Sequence, residues 1–274
     1  MEEVIADFKW SYQGVNFAGK TWSPKISDQV VVIVHGIGEH VGRYAHVANF
    51  LNSNGYAVTG IDLYGHGLSD GPKGGSKGIE FAFDYLSAFL NHVRITYQKP
   101  VVLYGHSMGG GLVTGLVLKR RPAINGVIIS SPALLIPGIT RISKLIFGIL
   151  NTFLANFRVS KGLDMNKLTH SREVIDAFKK DKLNHDRMSI RLAYEMIKNG
   201  QWCVENAGQL SIPALLMHGS DDAFTSVTGS RIFAKQAPKH LITFKEWPGG
   251  YHELHNEPNK EVIFQFILAW LDTL

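Results

Sequence analysis

Six short apolar runs, a serine set among glycines at the end of one of them, and one long gap without a good strand predict an α/β fold. The fold class is a mostly parallel central sheet flanked by helices, interrupted by a helical insertion. The runs are VVVIV (30–34), YAVTGI (56–61), VVLY (101–104), GVIIS (126–130), PALLM (213–217) and LITF (241–244). Each is β-branched or leucine-rich, bounded by Gly, Pro or polar turns, and separated from the next by enough chain for a helix. Strands apolar at successive positions must be covered on both faces, which is the condition of a parallel sheet wrapped by helices.

Ahead of these runs, DFKWSYQG and VNFAGKTW read as a hairpin turned near Gly14, adding two antiparallel strands at one edge. At the other end, KEVIFQFILAWLDTL places Ile263, Phe266, Ile267, Trp270, Leu271 and Leu274 at helical spacing, so one face of that helix should pack on the sheet. The regular alternation breaks once, between GVIIS and PALLM. Residues 1–131 and 211–274 are therefore expected to form the core, and 132–210 a helical cap, or lid, without a good strand. Within the cap, ITRISKLIFGILNTFLANF (139–157) brings Ile142, Ile146, Ile149 or Leu150, Phe153 and Phe157 to one face. A second helix is expected over about 187–198, stopped by Asn199-Gly200.

Composition narrows the function. Of 274 residues, 45% are apolar and 19% charged, with no repeat or biased tract, so a globular core is expected. The net charge of +5 raises the question of nucleic acid. Segment 132–210 holds 12 Lys/Arg against 7 Asp/Glu, and the rest of the chain is balanced. The excess lies in the cap, without the Arg-rich runs or aromatic-basic alternation of a nucleic-acid surface. The first residues lack a basic stretch followed by an apolar one, and no apolar run reaches spanning length, which predicts a cytoplasmic protein. The single cysteine, Cys203, reads as a buried small hydrophobe.

Gly-x-Ser-x-Gly occurs twice. Around Ser69 it leads into PKGGSKG, a glycine-rich loop that opens no helix, so Ser69 reads as a loop residue. Around Ser107 it follows PVVLY and precedes GGLVTGLVLKR, giving the strand, tight turn and helix that an exposed serine nucleophile requires. Gly105 and Gly109 remove side chains that would collide where the turn crowds the backbone. The N-H of Met108, at the start of the helix, would face a developing oxyanion.

A serine of this kind needs an acid and then a histidine later in the chain, each on a loop after a strand. PALLMHGSDDAF supplies the acid, with Asp222 preferred over Asp221; LITFKEWPGGYHELHNE supplies the base, with His252 preferred over His255. Spacing alone leaves both pairs open, since Asp221 also suits an Asx turn and His255 a partly exposed helix start. A second oxyanion donor is expected after an earlier strand, at the N-H of Ile37 in VVVIVHGIGEH, although Gly36 and Gly38 also suit an ordinary tight turn. The histidines of HELH are three apart where the zinc motif needs four, and GPKGGSKG lacks the helix of a phosphate loop. The chemistry calls for no metal and no organic cofactor.

HGIGEH (35–40), GIDLYGHGLSDG (60–71), GHSMGG (105–110), HGSDD (218–222) and GYHELHNE (250–257) resemble the monoacylglycerol lipase and lysophospholipase-like group of α/β-hydrolases. The resemblance covers nearly all of the chain outside the insertion. By position it implies Ser107, Asp222 and His252 as the triad, with backbone donors at Ile37 and Met108. It also implies a serine ester hydrolase acting on a small lipid ester, most simply a monoacylglycerol, with substrate choice set in the insertion. On that reading Ile142, Ile146, Ile149 and Phe153 are candidate substrate-binding residues of the cap. The same apolar face beside basic residues resembles a helix lying on a lipid surface, so peripheral membrane contact is expected as an alternative to packing on the core.

Overall fold

The structure is a computed structural model that describes residues 4–24, 27–160, 162 and 164–274. Eight strands form one sheet in the order β1-β2-β4-β3-β5-β6-β9-β10. The edge hairpin pairs β1 (Val4–Tyr12) with β2 (Val15–Ser23) around Gln13-Gly14, and β2 runs antiparallel to β4 (Tyr56–Ile61). The others are parallel: β3 (Gln29–Val34), β5 (Val101–His106), β6 (Gly126–Ser130), β9 (Ala214–Gly219) and β10 (Ile242–Trp247). All six predicted runs are strands.

β3 shows why such runs are apolar throughout. Val30, Val32 and Val34 pack into a cluster with α2 (Ile79–Tyr97) and α3 (Met108–Arg120), while Val31 and Ile33 enter the opposite cluster with α1 (Ala45–Ser53) and α8 (Lys260–Leu271). Successive side chains of a strand point to opposite faces, and here both faces are dry. α8 buries Ile263, Phe264, Ile267, Trp270 and Leu271. Phe264 was not on the expected face; it meets Phe50 of α1 at 5.2 Å between ring centres. Leu274 lies beyond the last helical turn and is exposed.

Between β6 and β9 the chain forms α4 (Arg141–Leu154), β7 (Arg158–Ser160), α5 (Arg172–Lys180), β8 (Arg187–Ser189) and α6 (Ile190–Glu205); α7 (Val227–Gln236) follows β9. Three expectations need correction. β7 and β8 make a short antiparallel pair where no strand was expected. α5 is an additional helix, capped by Ser171, with Ile175 buried and Val174 and Phe178 half-buried on the same side. The second predicted helix does not stop at Asn199-Gly200 but continues to Glu205. Gly200 is there for close approach: a Cβ would stand 2.3 Å from Ala133 O and 2.4 Å from Leu134 O. Asn199 donates its side-chain amide to Gly111 O at 2.8 Å, tying α6 to α3.

Candidate active site

Ser107 joins β5 to α3 with φ 56 and ψ −118, a conformation that L-residues avoid and that projects its side chain from the turn. The strain is tolerated because the surrounding backbone fits only glycine. A Cβ at Gly109 would lie 2.1 Å from Val34 O, and one at Gly105 would lie 2.6 Å from Gly109 O. Ser107 N donates to Ser130 O, and Ser107 O accepts from Gly111 N and Ala133 N, locking the turn between β6 and α3.

The loops after β9 and β10 reach the same place. Ser107 Oγ lies 2.8 Å from His252 Nε2, and His252 Nδ1 lies 2.7 Å from Asp222 Oδ2. An ionised carboxylate can only accept, so Nδ1-H donates to Asp222 and Nε2 is left to accept from the serine hydroxyl. Asp222 Oδ1 also accepts from Phe224 N at 2.7 Å and Thr225 N at 3.0 Å, and Oδ2 from Thr225 Oγ1 at 2.8 Å. Burial alone would favour the neutral acid, but the adjacent His252 and His218 and these donors hold the Asp222 carboxyl far below the usual range. For His252, burial opposes the charged form, and the Asp222 charge and hydrogen bond more than offset it, so its pKa is raised.

The neighbouring candidates are arranged differently. Asp221 is exposed and accepts from Ser220 Oγ at 2.7 Å. His255 is not partly exposed, as expected of a helix start, but fully buried. Its ring stacks on Tyr44 at 4.8 Å, and its ring nitrogens have no hydrogen-bond partner among the described residues. Burial, with His106 beside it, pushes the pKa of His255 well below the ordinary histidine value. Burial likewise lowers His106, under the His252 ring at 4.8 Å, to about 4. Of the three packed imidazoles, only His252 has a carboxylate on its ring. Ser69 is a loop residue, donating to Asp62 O and accepting from Ala18 N.

A pocket of about 170 Å³ opens above Ser107 and His252. Its apolar walls include Ile37, Ile136, Leu168, Phe178, Met188 and Met196, and its polar wall is Glu39, Arg43 and Glu253. Ile37, the expected donor, is on this wall; Met108 heads α3, where a first-turn N-H has no acceptor within the helix. The cap candidates are elsewhere. Ile142, Ile146, Ile149 and Phe153 are 72%, 50%, 54% and 80% exposed on the outer side of α4, and none lines this pocket. α4 instead rests on α6, where Lys144 Nζ donates to Gln201 Oε1 at 2.5 Å.

The polar wall went unread in the sequence. Burial favours neutral carboxyls, but the Arg43 guanidinium overrides it and holds Glu39 and Glu253 at about 2. The available signals were Glu39 and Arg43 at i and i+4, and a glutamate directly after the candidate base.

Known proteins resemble this chain over most of its length. The family model described as Serine aminopeptidase, S33 (Hydrolase_4) matches residues 25–259. Phospholipase YtpA of Bacillus subtilis is 32% identical over 92% of this chain and 98% of its own. An abhydrolase domain-containing protein of Dictyostelium discoideum is 34% identical over 92% of this chain, which spans only 27% of that protein. The crystal structure of a monoacylglycerol lipase from Paleococcus ferrophilus superposes with a TM-score of 0.85 at 30% identity, covering 93% of this chain and 98% of that one. The fold and the hydrogen-bonded serine, histidine and aspartate are those of serine hydrolases of the lipase and esterase type, and the chain belongs to the Hydrolase_4 family of α/β-hydrolases.

Proposed function

We infer that the protein is a serine esterase cleaving monoacylglycerols to glycerol and fatty acid. The observation that carries this reading is the unbroken chain from Ser107 Oγ through His252 to Asp222 at the floor of an apolar pocket. In this reading Ser107 attacks the ester carbonyl as His252 Nε2 takes its proton, and Asp222 stabilises the imidazolium. Backbone N-H groups of Ile37 and Met108 hold the oxyanion. The tetrahedral intermediate expels the alkoxide, which takes the proton from His252 and leaves as glycerol. His252 then deprotonates a water that attacks the acyl-enzyme; the fatty acid departs and Ser107 recovers its proton.

The polar wall favours a neutral headgroup. Glu39 and Glu253 are both ionised against the single Arg43, leaving one net negative charge beside the reacting carbon. A phosphate placed there would be repelled at low dielectric. This supports monoacylglycerol over an anionic lysophospholipid as substrate, while lysophospholipase or short-chain carboxylesterase activity with the same triad is the alternative.

Residues 132–210 act as the cap, and its outer face as a membrane contact. Ile142, Leu145, Ile146, Ile149 and Phe153 form a stripe on α4 that is half-exposed or more, exposed Phe157 follows just beyond the helix, and Lys73, Arg158 and Arg187 border its end. An apolar stripe of this size flanked by cations suits an anionic lipid surface. Among the described residues no helix is long and apolar enough to cross a membrane.

The test is hydrolysis of a monoacylglycerol and of the same acyl chain on glycerol phosphate and on phosphocholine glycerol, by the wild-type chain and by Ser107→Ala. Turnover confined to the wild type and fastest on the neutral ester is expected. Equal turnover by Ser107→Ala, or preference for the glycerol phosphate ester, would refute the assignment.

A further inference from the structure

The loop after β3 and the loop after β10 are joined through one buried side chain. Glu39 Oε1 accepts from Gly36 N at 2.5 Å and from Tyr44 Oη-H at 2.8 Å, which fixes the backbone immediately before Ile37. The other oxygen of Glu39 accepts from Arg43 Nη1. Arg43 also donates from Nη1 and Nη2 to Glu253 Oε1 and Oε2, at 2.6 and 2.8 Å, and Glu253 directly follows His252. Glu253 N in turn donates to Leu168 O, and the guanidinium lies over the Phe178 ring of α5 at 4.7 Å. The side chains of Glu39, Arg43 and Glu253 are 3%, 9% and 2% exposed.

We propose that Arg43 is a positioning residue that staples the oxyanion loop to the histidine loop through Glu39 and Glu253, setting the distance between the oxyanion donor and the base. The proposal rests on the ester-hydrolase reading above. Three features support it. A guanidinium presents several N-H groups in a rigid fork, so it binds one carboxylate at two points and a second one at the same time, which an ammonium does with less directional constraint. Both carboxylates are consumed by structure rather than solvent: Glu39 spends its second oxygen on Gly36 and Tyr44, and Glu253 accepts from Asn256 Nδ2 at 2.7 Å. Two carboxylates against one guanidinium also leave a negative charge beside His252. That charge adds to the effect of Asp222 in stabilising the imidazolium formed when Ser107 attacks.

A charge acting on His252 and a strut acting on the oxyanion loop have separable readouts. The full chain is measured on a dispersed short-chain p-nitrophenyl ester across pH as wild type, Glu253→Gln, Arg43→Lys and Arg43→Met. Labelling of Ser107 by a fluorophosphonate and a thermal melt are run on each. Glu253→Gln keeps the shape and removes the charge. It should lower kcat by about tenfold with KM within about twofold, and move the acid limb of the profile to lower pH by about half a unit. Arg43→Met should lower kcat by about a hundredfold, with partial recovery in Arg43→Lys. If Arg43→Met does not fold, Arg43→Lys decides: its kcat should still fall below wild type, because an ammonium does not reproduce the fork, and a wild-type kcat would overturn the staple. A labelled, active wild type with a folded Arg43→Met variant of unchanged kcat would overturn the staple alone, and an unchanged acid limb in Glu253→Gln would overturn the charge effect on His252. An unlabelled, inactive wild type would remove the ester-hydrolase reading and the staple with it.

Discussion

The turn holding Ser107 and the outer face of α4 are both rich in small or apolar residues, yet they are constrained in opposite ways. Around Ser107 the backbone leaves no room: Gly105 and Gly109 admit no Cβ, and Ser107, Asp222 and His252 are all buried or nearly so. α4 touches α6 along its inner side only, and its outer stripe stays exposed. In the first region tertiary packing dictates residue type at each position. On the outer stripe of α4 it dictates little, and the proposed lipid contact would account for the apolar residues there.

Substitutions in the turn should therefore be drastic, and those on α4 conditional. The largest effect is expected from Ser107→Ala, with loss of about 10⁴-fold or more in kcat and an unchanged melting temperature. Asp222→Asn should cost about 10⁴-fold, because an amide does not hold His252 in the required tautomer, whereas exposed Asp221→Asn should stay within about threefold. Equal losses at 221 and 222 would blur the distinction the geometry draws between them.

Gly109→Ala should lower stability by several kcal/mol, and Tm by about 10 °C, because the new Cβ meets the carbonyl of Val34 and a backbone cannot step aside as a flexible side chain can. A melt matching wild type would show that the turn has more slack than its contacts imply.

The pH profile sharpens the electrostatic side. His252 is a base only when neutral, and its pKa is raised above the ordinary value, so kcat/KM should rise with pH through that raised pKa and reach its plateau on the alkaline side. Stability behaves differently. Glu39 and Glu253 have pKa values lowered to about 2 in the fold, so their stabilisation is present above the unfolded-state carboxylate pKa. It is lost as pH falls toward about 2, and acid unfolding should be steep there. Circular dichroism against pH checks this, and Glu253→Gln should flatten the transition.

The smallest effect on the chemistry is expected on α4. Phe153→Asp should leave turnover of a dispersed short-chain ester within about twofold, while weakening sedimentation with anionic vesicles by about fivefold or more. Unchanged sedimentation would leave the stripe without its proposed role.

Legibility followed the same division. The strands were readable because a parallel sheet needs apolar residues at every position, and Ser107 because its glycines are forced by contact. α5 and the β7-β8 pair were not, since strands of three residues and a helix of nine are too short to show a period that stands out from the chain around them. Asn199-Gly200 misled because a glycine required for close helix packing has the same letter as one ending a helix. Glu39, Arg43 and Glu253 were overlooked for a different reason: charges in isolation read as solvated, and only their convergence makes them a buried cluster.

The amino-acid sequence by itself determined the strands of the main sheet, the turn that holds the candidate nucleophile and the loops that supply its candidate partners, because those depend on local backbone sterics and on burial period. Which aspartate and which histidine face Ser107, where the α4 stripe points, and that one arginine joins two loops more than 200 residues apart were decided by the tertiary structure. Such choices depend on direction and distance between segments that sequence spacing does not encode.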